Sequence, residues 1–290
     1  MSKDTKGVLV YLLITFGFAW AGWQILLPPM LPPPGATGWV QARQFMFVGG
    51  FTPMIAAFVV RKWVTREGFA DAGLGLHLRR WPYYIIAYLF PWAVLLAIAL
   101  QASLFGLAHP DFSLLDTART VLPGIARRAG TSTGIVAYLA FVALVQSPLA
   151  FGEEFGWRGY LQMRLFPSRP VAAAVATGLI WALWHLPIIL HGGELPGNRL
   201  VSFLMFCVFT VLVAIILSWL RLRSGSVWVT CVAHSTVDAV LGILSILVFF
   251  NSGNPNYVWG AGVLSWIPLG LFCAWIIWSG QLNSPAKRSA

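Results

Sequence analysis

The sequence predicts an all-α fold: a polytopic membrane protein, a bundle of about eight transmembrane helices forming one integral membrane domain over residues 1–290. Three observations carry this prediction. Hydrophobic residues make up 58% of the chain and charged residues 10%, with a mean hydropathy of +0.77, far from the usage of soluble globular domains. Apolar segments of about 20 residues recur along the whole length, as an α-helix needs to cross a hydrocarbon core about 30 Å thick. No stretch between them has the length or composition of a soluble domain.

Spans are predicted at 7–27, 45–63, 82–107, 134–157, 171–190, 200–220, 226–249 and 260–279, with ends set by Pro, Gly or charge. Lys3 and Lys6 precede the first span. Its Ala19-Trp20-Ala21 resembles a signal-peptidase site but lies mid-run, in an apolar stretch longer than a signal h-region, so the segment reads as an uncleaved helix. The run Pro28-Pro29-Met30-Leu31-Pro32-Pro33-Pro34 cannot continue a helix and must connect the first two spans. The fourth span closes on Glu153-Glu154. The fifth carries Trp181 one turn before His185, with Pro187 loosening the ladder after it, and the seventh carries His234 and Asp238 at i, i+4.

The formal charge of +10 does not imply nucleic acid, because Lys and Arg are scattered through short connections instead of lining one face. They read as topology signals. With a cytoplasmic N-terminus, fourteen of the nineteen fall on the cytoplasmic side, which predicts a cell (plasma) membrane protein with both termini cytoplasmic. Cys207, Cys231 and Cys273 lie inside apolar segments without CxxC spacing, so they imply neither a disulfide framework nor a zinc cluster.

Few ionisable side chains fall within the spans, and these are the candidates for chemistry. Charge near the bilayer interior costs at least about 2.5–3.5 kcal/mol, so adjacent acids at 153 and 154 call for a reason beyond packing. On a helix Glu154 and Arg158 form an i, i+4 ion pair, which leaves Glu153, about 100° round, facing elsewhere. Alone, His185 reads equally well as an interhelical donor, and His234 with Asp238 as a polar clamp. Together, three helices present Glu153 with Glu154, His185, and His234 with Asp238 to one interior. Such a set permits hydrolysis: a carboxylate and an imidazole deprotonate water while donors hold the oxyanion. His77, His109 and His191 read as interfacial. The G-x-S-x-G match at Gly130–Gly134 has no preceding strand and carries no function, and no HExxH, P-loop or dinucleotide fingerprint is present.

The ordered motifs Glu153-Glu154-Phe155-Gly156-Trp157-Arg158, Trp181 to His185 and His234 to Asp238 resemble EExxxR, FxxxH and HxxxN/D of the CPBP family of intramembrane glutamic endopeptidases. That family groups the CAAX prenyl proteases with bacterial Abi-type and bacteriocin-immunity proteins. The resemblance implies a catalytic core over 134–249. It also implies water activation by Glu153 and His185, support from Glu154 and Arg158, and oxyanion binding by His234 with Asp238, with no cofactor and no catalytic metal. Its substrates would be membrane-associated or lipid-modified peptides or proteins at the lipid bilayer. Two departures stand out. Trp181 replaces Phe, which touches packing, and Asp238 stands where many relatives have Asn, and an ionised Asp cannot donate.

Chemistry alone leaves three alternatives. His185, His234 and a Glu would make a catalytic zinc set; a non-catalytic immunity or partner-binding protein would keep the polar cluster for structure; and a proton pathway would use the same residue types, although no inverted repeat supports it.

Overall fold

The computed structural model describes residues 3–26 and 47–283. The Pro28–Pro34 connection, the first residues of the second predicted span, Arg43, Lys287 and Arg288 lie outside them. The described residues are helical with no strand. The long helices are α1 (Lys3–Leu26), α3 (Trp81–Leu104), α10 (Arg199–Ser224), α11 (Val227–Thr236) and α12 (Val263–Trp278). α11 continues through a π-helical stretch Val237–Leu244 into Ser245–Phe249, and a short helix Pro255–Val258 precedes α12. Between them stand α2 (Thr52–Val59), α4 (Leu114–Val121), α5 (Pro123–Ala129), α6 (Ser132–Val145), α7 (Ser147–Gly156), α8 (Pro170–Trp184) and α9 (Leu186–Leu190).

Five continuous stretches among the described residues are long and apolar enough to cross a membrane, and a sixth counts if α5 and α6, bent by 103°, are one span. The five correspond to the first, third, sixth, seventh and eighth predicted spans. The second, fourth and fifth are interrupted, so eight apolar segments are not eight straight helices. The interruptions share one cause. Phe51, Gln146 and His185 each cap a restarted helix with proline in its first turn, namely Pro53, Pro148 and Pro187. Proline fits that position but lacks the N–H that would continue the preceding ladder. Non-helical backbone at membrane depth is tolerated where protein surrounds it.

The broken segments pack closely. A Cβ on Gly156 would stand 2.4–2.7 Å from Pro53, so only glycine lets α7 lie against α2. Turns elsewhere follow ordinary capping. Gly225 at φ 75° ends α10 and Ser226 accepts from Trp228 N to start α11. The Gly130–Gly134 motif is likewise a turn, with Gly130 at φ 70° and Thr131 Oγ1 accepting from Gly134 N. The amphipathic helices α4 and α5 were not predicted; they occupy the connection after α3 and bury Leu114, Ala118, Leu122 and Ala126.

Candidate active site

The three interruptions surround Glu153. It lies on α7, about two turns past the break at Gln146, with Gly50 from the broken second segment beside its Oε1. From α8, Trp181 donates its indole N–H to Glu153 Oε2 at 2.9 Å, and Trp157 donates to the same oxygen at 3.3 Å. One carboxylate oxygen is thus held by two indoles. Oε1 is left toward the cavity.

Glu154 points the other way and is fully buried. Its Oε1 accepts from Arg158 Nη1 at 2.7 Å and pairs with His234 Nδ1 at 2.8 Å. The i, i+4 ion pair expected from the sequence is present, and it extends to α11. Arg158 is also fully buried, its guanidinium 4.9 Å from the centre of the Trp181 ring. A carboxylate accepts, so Nδ1 of His234 carries a proton and Nε2 is the nitrogen turned toward Asp238, at 3.6 Å. That separation exceeds a hydrogen bond. The Asp238 side chain is 57% exposed although it lies within the bundle, because it borders the cavity.

His185 sits at the break between α8 and α9. Its Nδ1 lies 2.9 Å from the Trp181 carbonyl oxygen. A carbonyl only accepts, so Nδ1 is the protonated nitrogen and Nε2 is the acceptor. The ring packs edge-on against Trp184 and Phe206.

Glu153, His185, His234 and Asp238 line one cavity of ≈ 250 Å³ whose other walls are mostly apolar. A smaller space of ≈ 20 Å³ adjoins it between Gly50, Gln146, Glu153, Ser235 and Asp238, enough for about one water. Glu154 and Arg158 stand behind the cavity. A carboxylate oxygen and an imidazole acceptor facing one cavity can share a proton from a water bound there, and a protonated Nε2 across it can donate to an oxyanion. Among the described residues no group of three or more His, Cys, Asp or Glu is arranged to hold a metal ion.

The floor beneath the site is tied down by charge. Arg61, fully buried, donates to Gly159 O at 2.9 Å, Gly68 O at 2.6 Å and both oxygens of Asp71, at 2.7 and 3.0 Å. This fastens the π-helical turn Trp157–Leu161, which carries Arg158, to the connection after α2. Partial burial pushes the Asp71 carboxyl up, but the hydrogen bonds and charge of Arg61, with the charge of Arg164, outweigh it and hold Asp71 below the usual carboxylate range.

The sequence reading did not assign roles to Trp157, to the Trp181 indole or to Arg61. Trp157 stands at i+4 from Glu153, a detectable signal. The change from Phe to Trp at 181 touches more than packing, because the indole N–H makes a bond that Phe cannot make.

Residues 133–240 match the family model described as Type II CAAX prenyl endopeptidase Rce1-like. All six candidate side chains fall inside the matched stretch. The match agrees with the resemblance to CPBP/CAAX proteases carried by the three motifs. No curated protein matches the chain.

Proposed function

We propose, with the CAAX prenyl endopeptidase match over 133–240 as premise, that the chain is an intramembrane glutamic endopeptidase whose catalytic core is 134–249. Glu153 and His185 take a proton from the attacking water and His234 with Asp238 receives the developing oxyanion, while Glu154 and Arg158 hold the site. The protein lies in the cell membrane with both termini cytoplasmic.

The observation that carries this reading is the division of labour between adjacent carboxylates. Glu154 Oε1 is committed to Arg158 and His234, whereas Glu153 keeps an oxygen toward a cavity shared with His185. With water between Glu153 Oε1 and His185 Nε2, a proton leaves the water as its oxygen attacks the peptide carbonyl. The negative charge then lands on the carbonyl oxygen, where the donor is His234 Nε2–H of an imidazolium whose Nδ1–H is held by Glu154. Returning the proton to the amine nitrogen breaks the C–N bond.

The test is Glu153→Gln, which preserves shape and loses the base. The variant should purify as folded protein and fail to generate the peptides that wild-type protein adds to a membrane proteome. Equal turnover by both proteins would sink the assignment.

A further inference from the structure

The mouth of the cavity and the basic residues lie at opposite ends of the bundle. Hydrogen bonds between distant segments identify the ends. At one, Gln101 Nε2 donates to Leu264 O, Asp111 N to Val248 O and Asn251 Nδ2 to Thr117 Oγ1. At the other, Arg221 Nη2 donates to Asp71 O, Trp228 Nε1 to Leu74 O and Arg223 Nε to Gln281 O. The second end holds eleven of the described Lys and Arg residues, at positions 3, 6, 61, 62, 66, 79, 80, 164, 169, 221 and 223. The first holds four, Arg119, Arg127, Arg128 and Arg199. By the bias of Lys and Arg toward cytoplasmic connections, the second end is cytoplasmic.

The cavity opens at the first end. Its at least partly exposed lining beyond the motif residues includes Ile125, Glu194, Ile243, Trp259 and Ala261, all from segments at that end. Toward the basic end the site is closed by Trp157, Arg158, Tyr160, Leu161 and Leu220, each 0% exposed. His234, seven residues into α11 from Val227, sits about 10 Å from the basic end at 1.5 Å per residue. The site is therefore the floor of a cavity whose mouth faces away from the basic connections.

We infer that the cavity opens on the non-cytoplasmic face and that its substrates are peptide segments presented at or beyond the outer leaflet. A protein tethered to the cytoplasmic leaflet would meet the closed end. Only the word substrate rests on the proteolytic reading; the direction of opening rests on packing and charge.

The experiment uses the full chain in intact cells and a membrane-impermeant maleimide. Ala261→Cys reports the mouth, Thr133→Cys the exposed surface of the same end and Ser168→Cys the exposed basic end; the parent, with Cys207, Cys231 and Cys273, sets the background. Ala261→Cys and Thr133→Cys should be labelled in intact cells, and Ser168→Cys only after permeabilisation. Labelling of Ser168→Cys in intact cells, or of Ala261→Cys only after permeabilisation or not at all, overturns the inference. Cleavage sites lost in cells carrying Glu153→Gln should map to non-cytoplasmic segments, and sites confined to cytoplasmic segments would overturn it as well. Expected labelling with no difference in cleavage would leave the opening standing and remove the proteolytic reading instead.

Discussion

The indole N–H of Trp181 meets Oε2 of Glu153 at 2.9 Å, joining α8 to α7 across 28 positions of sequence. The same residue offers its carbonyl to His185 Nδ1, its ring to Arg158 and its edge to His234, 5.1 Å between ring centres. It touches side chains of all three motifs. By fixing one oxygen of Glu153 it determines which oxygen faces the cavity, so its effect on chemistry runs through the geometry of that carboxylate.

Trp181→Phe keeps an aromatic ring and the backbone carbonyl but removes the donor. A hydrogen bond to a charged group contributes about 1.5–3 kcal/mol, so if it is needed at the transition state kcat should fall about 10–100-fold with KM little changed. Steady-state kinetics on variant protein of unchanged melting temperature checks this. A loss of kcat no larger than the loss of folded protein would reduce Trp181 to packing.

Glu154 and Arg158 should behave differently from Glu153, because both are fully buried and Glu154 also holds His234. Removing one member of a buried pair strands the other charge, typically at about 3–5 kcal/mol. Glu154→Ala and Arg158→Ala should therefore lower the yield of monodisperse protein in detergent as well as activity. Normal yield, melting temperature and turnover in both would show that the cluster is not needed to hold the site.

What the sequence revealed and what it concealed follow from distance along the chain. Glu154 with Arg158 was legible because helical geometry brings i and i+4 together whatever else the protein does. The all-helical membrane class was legible from composition and segment length. Continuity was not, because hydropathy records how apolar a stretch is and is blind to a ladder broken at Phe51, Gln146 or His185. The orientation of Glu153 was hidden as well, since it is set by an indole on another helix. The π-helical turns Val60–Val64, Trp157–Leu161 and Val237–Leu244 leave no signature in the apolar period.

Acid should loosen the floor. Asp71 is held below the usual carboxylate range by Arg61 and Arg164, so it binds protons less readily folded than unfolded. Its contribution is present above the unfolded value, about 3.9, and fades as pH falls through the lower folded value. The contribution is modest, since the side chain is 50% exposed. Asp71→Asn should lower the melting temperature at pH 6, with the gap from wild type narrowing below about pH 4. A gap that is constant from pH 6 to pH 3 would contradict this assignment.

Asp238 separates the metal-free reading from its zinc rival. Its Oδ2 stands 3.6 Å from His234 Nε2, too far for a hydrogen bond in this state, while Glu154 already holds Nδ1 at 2.8 Å. Orientation of the imidazole therefore does not depend on Asp238. Asn at this position offers a permanent N–H to the cavity and removes a carboxylate that cannot donate when ionised. In the metal-free reading Asp238→Asn should retain activity within about tenfold, equivalent to ~1.4 kcal/mol, and lose any pH dependence that this carboxylate contributes. Wild-type and variant activity should both survive prolonged dialysis against a chelator. In the zinc reading Asp238 serves as a ligand or orients His234 on the metal, and the same change costs about 10–100-fold in affinity or activity. Chelation would then abolish turnover and added zinc would restore it. Chelator-sensitive wild-type activity that zinc rescues would transfer water activation from Glu153 and His185 to the metal, whatever the variant does.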